Sequence, residues 1–205
     1  KLIMEFKNSN FSEAKKTVKA YLIFNRKNLI SWKILGAIYQ KEGNFEKALF
    51  SSKQAIRIDP MDSESHNNLG VTLEKINDFK GAKLSFKKAI SLSPDFTSAY
   101  FNLGNIYQFL GELNKAEKNF RHVIKLDANN VNAYNNLGNV LQKLEKFEDA
   151  EKNYNKSIFL KPDYADSYFN LGNLLDKMSR YKEAEVRYRQ AINLNPQNEI
   201  FYNNL

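Results

Sequence analysis

Between residues 131 and 164 the apolar side chains Tyr134, Leu137, Val140, Leu141 and Leu144 recur three or four residues apart, with polar residues between them. That spacing puts them on one face of an α-helix. A second run, Phe147, Ala150, Tyr154, Ile158 and Leu160, stops before Pro162, since the residue preceding a proline is pushed out of the helical region. The break between the runs is short, so the pattern predicts two antiparallel helices, A then B, joined as a hairpin. In other stretches the same break carries Gly43, Asn77 or Gly111, residues suited to the left-handed conformation just past a helix end.

The hairpin repeats. Gly36, Gly70, Gly104, Gly138 and Gly172 stand 34 residues apart, and Leu35, Leu69, Leu103, Leu137, Leu171 and Leu205 precede them in register. Ala48, Ala82, Ala116, Ala150 and Ala184 follow each Gly by twelve residues, with a further column of Ile at 56, 90, 124, 158 and 192. The fourth position of the unit is aromatic or similar in shape: Trp32, His66, Tyr100, Tyr134, Tyr168, Tyr202. Small residues at the eighth and twentieth positions let the paired helices approach closely. One hairpin cannot bury both apolar faces, so units must stack on their neighbours. The expectation is an all-α solenoid with five full units, 29–62, 63–96, 97–130, 131–164 and 165–198. A degenerate unit fills 1–28, where residues 1–7 would be the tail of a helix A and Phe11 and Ala14 open a helix B. Residues 199–205 begin a further unit, so the sequence reads as a segment of a longer protein.

These columns resemble the tetratricopeptide repeat. "WKILGAIY" at 32–39 fits its W-x2-L-G-x2-Y core. Its Ala-x3-aromatic spacing recurs from Ala82 to Phe86, Ala116 to Phe120, Ala150 to Tyr154 and Ala184 to Tyr188, and Pro60, Pro94, Pro162 and Pro196 close four units. Departures are Ser52 in the aromatic place, His66 in the Trp or Tyr column, and Ala128 for Pro. The resemblance implies a right-handed α-solenoid superhelix of antiparallel helix hairpins whose A helices line a concave groove. It places the second, fifth, sixth, ninth, twelfth and thirteenth positions on that groove.

Read at those positions, the face is rich in amides: Asn68, Asn102, Asn136 and Asn170 at the sixth, Asn105, Asn139 and Asn173 at the ninth, and Asn135 at the fifth. Phe101, Phe109 and Phe169 interrupt them. Asn offers an acceptor and two donors, so such a row can pair with the backbone of an extended peptide whatever its side chains, while the Phe rings add apolar contacts. The expected partner is therefore a protein or peptide. The same Asn belong to the general consensus of the repeat, so a structural role in joining A helices stands beside the binding role. A clamp for a partner's terminal carboxylate, also known in this family, is not expected. Lys33 and Asn68 fit it, but Ala37, Ser98 and Asn102 occupy its other places.

Composition narrows the alternatives. The 205 residues carry a formal charge of +8, from 31 Lys and Arg against 23 Asp and Glu, and include no Cys. Disulfides and Cys-ligated metals are thereby excluded, and no cofactor or metal is expected. No window approaches the roughly 18 apolar residues of a membrane-spanning helix, and no membrane partner is expected. "KLIMEFK" lacks a secretory signal's features, and the expectation is a cytoplasmic location. Most of the basic residues, Lys83, Lys118 and Lys152 among them, fall on loops or B helices beside carboxylates, as on a solvated helix surface. Lys41, Lys75, Lys143 and Lys177 at the thirteenth position form the one stripe that would suit RNA, a weaker reading than a protein partner. No catalytic constellation is visible, so the chain is not expected to be an enzyme itself. The run of "NNLG" and "FNLGN" is also similar to the repeat arm of O-linked N-acetylglucosamine transferases, which would make the chain the substrate-recruiting part of a larger enzyme.

Overall fold

The computed structural model describes residues 11–204, and among these every regular element is helical. They form α1 (Phe11–Phe24), α2 (Leu29–Lys41), α3 (Phe45–Ile58), α4 (Ser63–Lys75), α5 (Phe79–Leu92) and α6 (Thr97–Phe109). There follow α7 (Leu113–Leu126), α8 (Val131–Lys143), α9 (Phe147–Leu160), α10 (Ala165–Lys177), α11 (Tyr181–Leu194) and a 3-10 turn over Glu199–Tyr202. From α2 on, each A helix has 13 residues and each B helix 14. The fold is an all-α solenoid of helical hairpins. The chain divides into two compact units, one reaching to Asn102 and one starting at Leu103. Within each, helices pack on their sequence neighbours, and in addition α2 meets α4 and α8 meets α10. The helix-A tail expected at residues 1–7 lies outside the described residues.

Local chemistry sets the helix ends. Asn28, Asp62 and Asn130 accept from the backbone N–H three residues on, at 2.8, 2.8 and 3.0 Å, and so open α2, α4 and α8. Asn44 and Asp78 do the same for α3 and α5 at 3.1 and 2.9 Å. Each such cap contributes about 1 kcal/mol. The turn inside each hairpin takes a positive φ at its fifteenth position: 71° at Gly43, 62° at Asn77, 73° at Gly111, 61° at Glu145 and 60° at Ser179. The first three are the residues the sequence marks for that role; Glu145 and Ser179 are not. The geometry is imposed by a bond from the following N–H back five residues, as from Lys146 to the Leu141 carbonyl and from Arg180 to that of Leu175, both 2.9 Å. That bond closes the helix in the Schellman manner whatever residue stands before it.

The small columns are where the hairpins close. Ala48, Ala82, Ala116 and Ala150 are fully buried and Ala184 nearly so. Gly at the eighth position does more than allow the helices to approach, because a B-helix ring abuts it. A Cβ added at Gly70 would stand 2.5 Å from Phe86, at Gly104 2.9 Å from Phe120, at Gly138 2.5 Å from Tyr154 and at Gly172 2.6 Å from Tyr188. Gly36 is the exception. Ser52 replaces the ring there, and the nearest atoms, Ser51 Cβ and Ser52 Oγ, would be 3.5 and 3.7 Å away.

The fourth-position column has a second task. Trp32 Nε1 donates to the Arg26 carbonyl at 2.8 Å, Tyr168 to Pro162 at 3.1 Å and Tyr202 to Pro196 at 3.2 Å. Each bond ties the start of a repeat to the turn six residues before it. His66 fits the column because its Nε2 reaches the Pro60 carbonyl at 3.0 Å. A carbonyl only accepts, so that nitrogen carries the proton.

Candidate functional site

From Asn102 on, the sixth-position Asn are held by bonds between repeats, and the bonds alternate. Where the fifth position of one repeat is Asn, the sixth-position amide of the next donates to it: Asn102 Nδ2 to Asn67 Oδ1 at 3.1 Å, and Asn170 Nδ2 to Asn135 Oδ1 at 3.0 Å. Where the fifth position is Phe101 or Phe169, no acceptor exists there. The amide then turns to the ninth-position Asn: Asn136 Nδ2 to Asn105 Oδ1 at 2.9 Å, and Asn204 Nδ2 to Asn173 Oδ1 at 2.7 Å. The identity of the fifth residue thus selects the partner, and the amide pattern repeats every two hairpins.

Asn135 is corrected by this geometry. It is only 4% exposed, accepting also from Ser167 Oγ at 3.1 Å and donating to Asn136 Oδ1 at 3.4 Å. The fifth position sits on the flank where the next A helix packs, so a polar side chain there must find its partners inside. Phe169 is likewise turned inward, with its ring 4.9 Å from Phe201 and 5.7 Å from Tyr188. Phe101 is half-buried and Phe109 is 71% exposed. Asn68, Asn102, Asn105, Asn136, Asn139, Asn170 and Asn173 are all half-buried.

In the second unit these positions converge. A cleft of about 400 Å³ gathers Asn139, Asn170 and Asn173 together with Gln108, Gln142, Lys143 and Lys177. Every one comes from an A helix. The two Gln occupy the twelfth position, which the family resemblance assigns to this face, although amide chemistry at that position escapes a search confined to Asn. Two buried rings set the amides from beneath. The Tyr154 hydroxyl lies 2.7 Å from Asn139 Oδ1 and 2.9 Å from Gln142 Oε1, and the Tyr188 hydroxyl lies 3.0 Å from Asn173 Oδ1. Burial pushes the pKa of both phenols up, so they remain protonated donors. Lys177 lies 5.0 Å from the Phe147 ring centre.

In the first unit Asn68 belongs to a different network: Gln40 Nε2 donates to its backbone carbonyl at 2.9 Å and to Thr72 Oγ1 at 2.7 Å. Lys33 is paired with Asp62 at 3.2 Å and with Glu64. Burial alone would lower its pKa, but the two carboxylates outweigh it and hold the ammonium above its ordinary range. With its charge already matched, Lys33 has little to offer a partner's carboxylate.

Among the described residues no helix is long and apolar enough to cross a membrane, and no group of three His, Asp or Glu could hold a metal ion. B-helix and turn charges are paired along the surface, as in Lys146 with Glu117 at 2.8 Å and Arg180 with Glu151 at 2.7 Å.

Sequence profiles described as tetratricopeptide repeat match residues 31–61, 63–96, 85–118 and 129–197, and one described as TPR repeat matches 104–145. No curated protein matches the chain. Among solved structures, PilW, described as a widely conserved type IV pilus biogenesis factor, superposes with a TM-score of 0.89 at 20% identity, over 98% of this chain and 93% of its own. PilF of Pseudomonas aeruginosa gives 0.86 at 18% identity, over 98% and 91%. YrrB, described as a TPR protein with an unusual peptide-binding site, gives 0.71 at 18% identity, over 90% and 95%. At these identities the likeness is one of fold. With profiles of one family following one another from residue 31 to 197 and with its helical hairpins in place, the chain belongs to the tetratricopeptide-repeat family.

Proposed function

We propose that the protein is an interaction scaffold that holds an extended segment of a partner protein on the amide-bearing faces of its A helices. The observation that carries this reading is the cleft of the second unit. Its Asn139 and Asn173 turn their oxygens inward to the tyrosine hydroxyls. A planar amide with its oxygen so engaged presents its NH2 group outward, where it can donate to the carbonyls of a peptide strand. Because the amides are already fixed, binding costs little side-chain entropy. Lys143 and Lys177 at the rim add cationic donors. Recognition of this kind reads backbone more than side chain, and the partner is then selected by a few flanking contacts. YrrB, with its described peptide-binding site, offers a precedent within the same fold.

The test begins with peptides selected from a random display library against the protein. Asn139→Ala with Asn173→Ala is expected to weaken a selected peptide about tenfold or more, as loss of two hydrogen bonds implies. Lys53→Ala on α3 should leave it unchanged. N-methylation of the peptide backbone should weaken binding more than changing its side chains. Undiminished affinity in a variant with native circular dichroism would refute the proposal.

A further inference from the structure

A different cleft, of about 800 Å³, opens in the first unit among α1, α2 and α3. It shares no residue with the proposed peptide face. Its floor is apolar: Leu22 and Leu35 are buried, and Trp32 meets Phe50 edge to face with ring centres 5.7 Å apart. Its rim is not covered, since Phe50 is 56% and Ile23 66% exposed. Four cations, Lys19, Arg26, Lys27 and Arg57, stand around it, and among the described residues no carboxylate lines it. None of the four has an acidic partner among the described residues. On the far side of Phe50 a smaller cleft of about 390 Å³ shares Trp32, Leu35 and Phe50 and adds Lys47, with Glu46 its one acid. The two follow α3 from Lys47 to Arg57, a length of about 15 Å at the rise of an α-helix.

Exposed aromatic surface and unneutralised like charges are each unfavourable when left to water alone. A ligand that carries both apolar side chains and carboxylates relieves the two together. We propose that this trough is a second docking site, for an acidic amphipathic segment of a partner protein. The segment's apolar side chains would enter over Trp32 and Phe50, and its carboxylates would meet Arg26, Lys27 and Arg57. The concavity favours a peptide over a membrane surface, because Leu22 and Leu35 lie at the bottom of the cleft, where a plane of lipid headgroups does not reach. Side chains projecting from a peptide do.

Trp32 is the one tryptophan in the sequence, so its emission reports on the site directly. The probe is a synthetic Trp-free peptide with Leu at i, i+3, i+4 and i+7 and Glu on the flanks, compared with the same peptide carrying Gln for Glu. The acidic peptide is expected to change Trp32 emission saturably and to bind about tenfold or more tighter than the Gln peptide, with the advantage lost at high salt. Arg26→Glu with Arg57→Glu should abolish the advantage. Lys27→Glu, in the exposed α1–α2 loop, should reduce it without touching a helix. Asn139→Ala with Asn173→Ala should leave it intact, which separates this site from the A-helix face. No emission change with the acidic peptide, or equal affinity for both peptides, would overturn the proposal. So would a response to phosphatidylserine vesicles in place of the peptide.

Discussion

The contrast between Gly36 and Gly70 allows the packing argument to be tested inside one unit. Both stand at the same position of the repeat, and replacing either with Ala gains the same helix propensity, about 1 kcal/mol. Only the surroundings differ. At Gly70 the new Cβ would lie 2.5, 2.7 and 2.9 Å from three atoms of the Phe86 ring, whereas carbon atoms rest at about 3.5–4 Å. The ring must therefore retreat by about 1 Å, and it is fully buried. At Gly36 the nearest atoms would be at ordinary contact distance, 3.5 Å or more. The propensity gain cancels in the comparison, leaving the overpacking cost of about 1–3 kcal/mol as the difference between the variants. Gly36→Ala should raise the urea midpoint, and the unfolding free energy of Gly70→Ala should lie below that of Gly36→Ala by that amount. Trp32 fluorescence and far-UV circular dichroism would follow the transitions. Gly70→Ala made together with Phe86→Ser recreates the Gly36 arrangement, so the penalty of Ala at position 70 should vanish in that background, a coupling a double-mutant cycle reads. Equal shifts for Gly36→Ala and Gly70→Ala, or a penalty that persists in the Phe86→Ser background, would refute the reasoning.

Glu145→Gly and Ser179→Gly should each stabilise the protein by about 1 kcal/mol, since both residues hold a positive φ that Gly adopts freely; a loss of stability in thermal melts would contradict this. Asn135→Ala should cost about 1–3 kcal/mol because Ser167 and Asn170 lose a buried acceptor, while Asn132→Ala, at an exposed position, should cost less than about 0.5 kcal/mol by the same melts. Burial raises the carboxyl pKa of Glu74, against a smaller pull from Lys75. A raised carboxyl pKa in the folded state means that ionisation opposes folding, a penalty present at neutral pH and relieved as pH falls through the raised value. Glu74→Gln should therefore raise the melting temperature at neutral pH, and the gain should shrink toward the ordinary carboxylate range; a gain independent of pH would count against it.

The hairpins, their period and the small columns are legible along the chain, because helix periodicity, proline stops and close packing are local or repeat in register. The A-helix face came from the family resemblance, which assigns the same positions to it in each repeat. Tertiary structure decided what those positions do. Asn135 and Asn136 are neighbours with one side chain chemistry, yet one is buried between helices and the other half-exposed, a difference of about 100° around a helix axis that matters only once the next helix is in place. Whether a sixth-position amide reaches the fifth or the ninth residue of the preceding repeat depends on a Phe or Asn 35 residues away. The positive φ at Glu145 and Ser179 follows from a backbone bond, not from those residues' preferences. The cationic cleft at Trp32 is likewise invisible in the periodic pattern, because Lys19, Arg26 and Arg57 occupy no shared column and meet only when α1 and α3 flank the same floor.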